Sequence, residues 1–422
     1  MRLLGLTTTF ALCSILNVAT AFHSNGFTSS SSGRTTAIKA SEQTDDDGKR
    51  RVVLPTSRLS LDRRDFFHSA AQKAAVASIA LTSVPSALDV ANAADSLTFP
   101  KVYKPPAHSM DGKLVVITGG NTGLGLESAK RLAAAGATVV ITSRDTEKGQ
   151  KAVEEVEDYV KSNTDETAKG KVMVANLDLC DLENVKSFKS RLENVIGTDR
   201  KVDVLMNNAG VMAIPDRRLT KDGYEKTFQT NHLGHFALTA TILPLLAPDA
   251  RIINVSSMAY LFAGNGLELD NLNGEKMYGP WSSYGLSKLE NILFTNELQK
   301  RAQKSDTWSS LMVFSLHPGA VQTDLARYLI GEEKFLSMKE NGFSSWTDKI
   351  IMESMAKFVK TVQEGASTQV YLAADKNISS TMAGKFFSDG KVNAVKAYAL
   401  DEGKSKELWE ISERLAGIQF KV

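Results

Sequence analysis

Leu114-Val115-Val116-Ile117-Thr118-Gly119-Gly120-Asn121-Thr122-Gly123-Leu124-Gly125 runs from an apolar tetrapeptide into a glycine-rich turn, and Glu127-Ser128-Ala129-Lys130-Arg131-Leu132 follows with a helical pattern. Four consecutive apolar residues suit a strand covered on both faces, as in a parallel sheet. Strand, glycine turn and helix together make the geometry in which backbone N–H groups and a helix N-terminus receive a pyrophosphate. The spacing departs from the common dinucleotide fingerprint by an extra residue between the first and second turn glycines.

Further along, strand candidates at 113–118, 138–142, 171–177, 202–206, 251–255 and 310–316 alternate with helical patterns such as 146–160 and 283–299. That alternation predicts an α/β fold with a doubly wound parallel sheet of Rossmann type. A last strand near 384–388 and a terminal helix around 406–415 would complete it. The stretch 323–358 does not fit the core pattern, since it mixes many apolar residues with charges. Between Ser257 and Tyr284, the polar run 264–279 predicts a longer loop.

Tyr284 and Lys288 stand one helical turn apart, so both side chains leave the same face and can reach one reacting centre. A free phenol, with pKa about 10, is a poor proton donor or acceptor at neutral pH, and a nearby cation lowers that value. A shift of roughly 3 units needs about 4 kcal/mol of differential stabilisation, which one ammonium supplies only in a partly desolvated site. Alone the pair is a weak signal, because any exposed helix offers Tyr and Lys at this spacing. Its companions carry the weight.

With the glycine turn, Asn207-Asn208-Ala209-Gly210 after a strand, Asn231, Ser256-Ser257 after a strand, Tyr284/Lys288, and Pro318-Gly319 with Thr323, the chain from about Lys113 onward resembles the short-chain dehydrogenases/reductases. Asn231-His232-Leu233-Gly234-His235-Phe236, Ser315-Leu316-His317-Pro318-Gly319 and Glu364-Gly365-Ala366 are most similar to its retinol-dehydrogenase branch and plastid relatives. The resemblance implies a catalytic set of Asn231, Ser257, Tyr284 and Lys288. Tyr284 would exchange a proton with the substrate oxygen, and Lys288 would lower its pKa and hold the ribose. Ser257 would bind the carbonyl oxygen, and Asn231 would fix a water leading from the lysine to solvent. The cofactor contacts implied are Gly119, Asn121, Thr122, Gly123, Leu124 and Gly125 at the turn, then Asp178 and Leu179 near the adenine. Asn208, Ala209, Gly210, Tyr284, Lys288, Pro318, Gly319, Val321 and Thr323 complete them. In this family 323–358 is the substrate lid, and its apolar content suggests a hydrophobic alcohol or carbonyl substrate.

Cofactor choice turns on Ser143-Arg144 at the end of the second strand. A carboxylate there would accept from the ribose 2′-OH of NAD, whereas Arg accommodates the 2′-phosphate of NADP, so NADP(H) is expected. Asp145 argues the other way. Asp178 can equally be a turn or capping residue.

Composition excludes several classes. The 422 residues carry a formal net charge of +2, and Lys49-Arg50-Arg51 and Arg63-Arg64 lack interleaved aromatics, so no nucleic-acid footprint exists. Six histidines and two cysteines yield no metal set. Peripheral membrane contact through the lid and a homo-oligomer stay open.

Residues 1–94 read as a targeting presequence and 95–422 as the catalytic domain. Arg2, an apolar run over 10–16, and Ala19-Thr20-Ala21 form a signal-peptide pattern. The Ser/Thr-rich stretch 22–41 without acidic residues has the composition of a plastid transit peptide. Together they resemble the bipartite presequences of algae whose plastids lie inside extra membranes. Arg63-Arg64-Asp65-Phe66-Phe67, followed by an Ala-rich run, has the form of a twin-arginine signal. The expected location is the plastid, in the thylakoid lumen or, as the alternative, the stroma. Two other functions compete with the oxidoreductase: a light-driven enzyme similar to protochlorophyllide reductase, and a non-catalytic NADP-sensing module at a plastid membrane.

Overall fold

The computed structural model describes residues 99–164, 167, 170–264, 266–321 and 360–422, with the backbone of 42–44 and 50–52. Most of the presequence and the lid stretch with Thr323 therefore lie outside the described residues. The chain divides into two units, Met1–Phe66 and Phe67–Val422. In the first, Glu42–Thr44 and Arg50–Val52 pair antiparallel with Glu42 opposite Val52, where the sequence offers no strand pattern.

The second unit is built on one sheet. Its strands are β1 (Leu114–Ile117), β2 (Thr138–Ser143), β3 (Lys171–Asn176), β4 (Val202–Asn207), β5 (Leu246–Val255), β6 (Met312–His317), β7 (Phe386–Ser388) and β8 (Lys391–Val392). Their order is β8-β7-β6-β5-β4-β1-β2-β3. All neighbours are parallel except β8, a two-residue strand antiparallel to β7. The doubly wound reading holds, with that short antiparallel edge as the one departure. β5 starts well before the expected residue 251, at Leu246, with a register irregularity opposite Val202 and Val204. Pro248, which has no N–H to give a ladder, sits in that early part.

Residues of one strand alternate between two cores, as the period of two requires. Leu114 and Val116 pack with Val140, Leu205 and Ile252 on one face, while Val115 and Ile117 pack with Val139, Ile141, Met206 and Ile253 on the other. The covering helices are α1 (Gly123–Ala134), α2 (Thr146–Asn163), α3 (Phe188–Ile196), α4 (Gly234–Ile242), α5 (Pro280–Ala302), α6 (Ser367–Ala374) and α7 (Glu402–Ala416). α5 opens with Pro at its first position, where a missing N–H costs nothing. α7 locks onto α4 and α5 through buried Trp409, whose ring centre lies 5.1 Å from that of Phe236 and 6.0 Å from that of Phe294. Among the described residues no helix is long and apolar enough to cross a membrane.

Two connections matter for the site. Ahead of β1, Tyr103 donates from its N–H to Ser367 Oγ (3.1 Å) and from its hydroxyl to Asp375 (3.1 Å), so the folded body begins before residue 113. After β6, Val321 bridges Lys360, and Lys360 N–H donates to Ala320 O at 2.7 Å.

Candidate active site

Parallel strands deliver their carboxyl ends to one edge of the sheet, and β1 and β4 are adjacent there although they are not consecutive in the chain. Such a switch in strand order opens a crevice. Into it run the glycine turn after β1, Asn208-Ala209-Gly210 after β4, Ser256-Ser257 after β5 and Pro318-Gly319 after β6.

The turn is shaped for close backbone approach. Gly119 and Gly123 have φ of +61° and +56°, a region that disfavours side chains. A Cβ on Gly119 would come 3.0 Å from the Ala209 Cβ, and one on Gly125 would come 2.6 Å from Asn208 Nδ2. Thr122 stands at the N-cap of α1 without making a side-chain cap, and the first turn carries no acidic residue. The helix end and its N–H groups are thus suited to an anion.

Tyr284 and Lys288 lie one turn apart on α5, with the ammonium 5.4 Å from the phenol ring centroid. Lys288 is 3 % exposed and donates from Nζ to Val255 O at 3.0 Å. Burial pushes its ammonium down to about 8. Ser256 is buried and donates to Lys288 O at 2.6 Å, tying the end of β5 to α5. Ser257 is only half-buried and begins the next helical turn, its Oγ accepting from Ala259 N–H at 3.1 Å.

Asn231 is buried in a turn of π-helix, Gln229–Leu233, a geometry that recurs at functional sites. Its Oδ1 accepts from Val211 N–H at 2.8 Å, and its Nδ2 donates to Val211 O and Ser287 Oγ, both at 2.9 Å. Ser287 in turn donates to Tyr284 O at 2.7 Å. A Cβ on Gly210 would lie 3.2 Å from Asn231 Oδ1 and 3.5 Å from Lys288 Nζ, so three of the expected residues converge on one point.

The sequence profile of the short chain dehydrogenases matches residues 113–334. The chain is 37 % identical over 311 residues to human retinol dehydrogenase 11, covering 73 % of this chain and 87 % of that protein. It is 35 % identical over 312 residues to mouse retinol dehydrogenase 12, covering 74 % and 88 %. The chain belongs to the short-chain dehydrogenases. Within them it is retinol-dehydrogenase-like, an oxidoreductase that uses a nicotinamide cofactor. A solved structure of an uncharacterised protein from Mycobacterium paratuberculosis has the same fold, with a TM-score of 0.56 and 34 % identity over 76 % of this chain and all of that one.

Seen as a short-chain dehydrogenase, the β2 end is instructive. Ser143 is buried and its hydroxyl donates to Asp145 O at 2.7 Å, so it shapes a turn. Arg144 is exposed. Asp145 caps α2 by accepting from Lys148 N–H at 3.1 Å, and that bond holds its carboxyl below the usual range. Asp178 likewise accepts from Cys180 N–H at 2.9 Å, and Leu179 is buried with its carbonyl accepting from Gln229 Nε2. Pro318 and Gly319 (φ +95°) lie against the Lys360 side chain, and Val321 forms the bridge described above.

Several supports of this short-chain dehydrogenase site carried no role in the sequence reading. Thr118 Oγ1 accepts from the N–H of Asn208 and of Ala209, both at 2.9 Å, stitching β1 to β4. His235 is buried, and burial pushes its imidazole down to about 4. Its Nδ1 lies 3.0 Å from Asn231 O, which can only accept, so Nδ1 holds the proton and Nε2 accepts from Thr118 Oγ1 at 2.9 Å. Below them Asn207 donates to Asn254 Oδ1 at 2.8 Å and Asn254 to Thr295 Oγ1 at 2.9 Å, anchoring α5 through β5. Both Thr118 and His235 lie inside the motifs that signal the family, which was the available clue. The loop over 264–279 is clasped to its neighbour, with Tyr278 OH donating to Ile214 O at 2.7 Å and Arg217 to Asn273 O at 2.8 Å.

Proposed function

We propose that the protein is an NADP(H)-dependent oxidoreductase acting between a hydrophobic alcohol and its carbonyl, with Tyr284 as general acid and base. The observation that carries this reading is the buried Lys288 ammonium held beside the Tyr284 ring by Val255 O. Nicotinamide, when bound, would supply or take the hydride. In reduction Tyr284 gives its hydroxyl proton to the oxygen that becomes an alkoxide, and in oxidation it takes that proton back. A charged Lys288 favours the phenolate that remains. Ser257 Oγ donates to the same oxygen as negative charge builds on it. Asn231, fixed at three points, holds its place beside Lys288 and supports a proton path to solvent.

Preference for NADP(H) is supported by Arg144, exposed at the β2 end, and by Asp145, whose carboxylate already serves α2. A hydrophobic substrate is supported by the names of the relatives and by the apolar stretch 323–358. Cys180 donates or accepts with Thr230 Oγ1 at 3.1 Å, and burial pushes its thiol up, which suits a packed thiol better than a reactive one. The light-driven alternative gains nothing from it. Intact Ser257, Tyr284 and Lys288 weigh against a purely sensing module. The plastid, in its lumen or stroma, remains our proposed location, to be tested by a fluorescent fusion of residues 1–94 and by Arg63→Lys with Arg64→Lys.

Purified protein would be mixed with NADPH or NADH and retinal, or with straight-chain aldehydes of increasing length. Oxidation of NADPH by the longer aldehydes is expected. Turnover only with protochlorophyllide in light, or none with any carbonyl, would discard the proposal.

A further inference from the structure

Shortly after the chain returns at Lys360, α6 places one side chain between the glycine turn and the segment that follows β4. Gln369 is wholly buried. Its Nε2 lies 3.2 Å from Leu124 O, 2.7 Å from Ser128 Oγ and 3.3 Å from Asn208 Oδ1. Two backbone carbonyls fix which way these amides point. Leu124 O can only accept, so Gln369 turns its amide nitrogen toward it. Asn208 spends its own nitrogen on Thr118 O at 2.9 Å and so presents its oxygen to Gln369. Ser128 Oγ donates to Leu124 O at 2.8 Å and accepts from Gln369. Gly365 lets this part of the chain close on the turn, since a Cβ there would come 2.9 Å from Leu124 Cδ2 and 2.7 Å from Val321 Cγ2.

One side chain thus spans both lips of the crevice, the turn suited to a pyrophosphate and the Asn208 segment facing it across β1 and β4. The span has a cost. Three acceptors draw on the two N–H groups of one amide, and Gln369 Oε1 is buried with no partner among the described residues. Methionine would fill much the same space and leave no orphan acceptor, so packing alone does not favour glutamine here.

We infer that Gln369 is a positioning residue for the nicotinamide dinucleotide. It holds the Leu124 carbonyl and the Asn208 side chain at the spacing the cofactor meets, and, being wholly buried, does so without touching the cofactor. The inference rests on the family's use of such a cofactor, and not on the choice between NADP(H) and NAD(H) or on any substrate.

The full chain carrying Gln369→Met would be titrated with NADPH and with NADH by fluorescence, and unfolded by heat without ligand. Both dissociation constants should rise about tenfold, the net worth of one or two neutral hydrogen bonds. Tm should stay within about two degrees, because the orphan oxygen disappears along with the bonds. Equal loss for the two dinucleotides separates this effect from one at the 2′-phosphate. Dissociation constants within about twofold of those of the natural chain would overturn the inference, and a fall in Tm beside them would make Gln369 a packing residue. Should the variant not fold, amide exchange on the natural chain decides. Coupling is reciprocal, so saturating NADPH should slow exchange over α6 as well as over the first turns of α1. Protection of α1 alone would overturn the inference. A natural chain that bound neither dinucleotide would overturn it together with the proposed function, whereas a change confined to the variant bears on Gln369 alone.

Discussion

Lys288 and Glu290 are two residues apart on one helix, both almost wholly buried, and they meet burial differently. Lys288 has a carbonyl at 3.0 Å and an aromatic ring beneath its charge, and its ammonium comes down only to about 8. Glu290 has an oxygen with no partner among the described residues, and its carboxyl is pushed well above the ordinary range. What separates them is the supply of partners. The sheet's carboxyl edge offers Val255 O to one face of α5, while the opposite face looks onto phenyl rings and another carboxyl.

The catalytic face can be broken by a single atom. Tyr284→Phe should lower turnover about 10²- to 10⁴-fold, the usual worth of a positioned proton donor. NADPH affinity, followed by fluorescence titration, should stay within about twofold. Turnover close to that of the natural chain would remove Tyr284 from the chemistry.

The charge on that face can be titrated. Lys288 is charged below about 8 and neutral above it, so kcat/KM for aldehyde reduction should fall as pH rises through about 8. Lys288→Arg should carry that limb out of the measurable range, because guanidinium does not deprotonate there. A limb that stays near pH 8 in the arginine variant would assign it to another group.

At the β2 end, Arg144→Ala should weaken NADPH roughly tenfold to a hundredfold and leave NADH nearly unchanged, the loss of one charge-assisted phosphate contact. Equal weakening of both cofactors would end the NADP assignment.

The smallest effect belongs to the opposite face of α5. Because the folded-state pKa of Glu290 lies above its unfolded value, its contribution to stability is present at low pH and is lost as pH rises from the ordinary carboxylate range through the raised value. Among the described residues the charge of Glu225 acts on it, and the exposed Glu268 lines the same cavity as these two carboxyls. Glu290→Gln cannot ionise, so the variant should gain about 1 to 3 kcal/mol at pH 8 and show a flatter pH profile in urea unfolding. Parallel pH profiles for the two proteins would mean that Glu290 is satisfied in solution.

Much of the fold was legible. The strand runs at 114–117, 138–143, 171–176 and 202–207 are each built on a short block of Val, Ile, Leu, Met or Ala, and their edges differ from expectation by one residue. β8 was not legible, because two exposed residues leave no pattern, and neither was the early start of β5, where Pro248 reads as a break. Within the site, the sequence named the residues that would face a ligand but not those that hold them. Thr118 bonds across about ninety positions to Asn208, and Ser256 across about thirty to Lys288, distances at which local pattern is silent. Asp145 weighs toward a ribose hydroxyl in the sequence, and the structure adds a second role that the sequence leaves silent, the cap on the helix that follows. Glu290 is a charged position that a helical pattern places on the surface, and only the fold shows that it is a buried acid sharing a cavity with Glu225 and Phe262.

The meeting of Val321 with Lys360 has a consequence for how such an enzyme can diversify. With Lys360 N–H bonded to Ala320 O, the chain leaves and rejoins the body at one spot beside Gly319. Closing a flexible loop costs only about 0.6 kcal/mol more for each doubling of its length. A chain whose exit and return are tied together in this way can accept insertions or exchanges between the two posts while the sheet, the glycine turn and α5 keep their places.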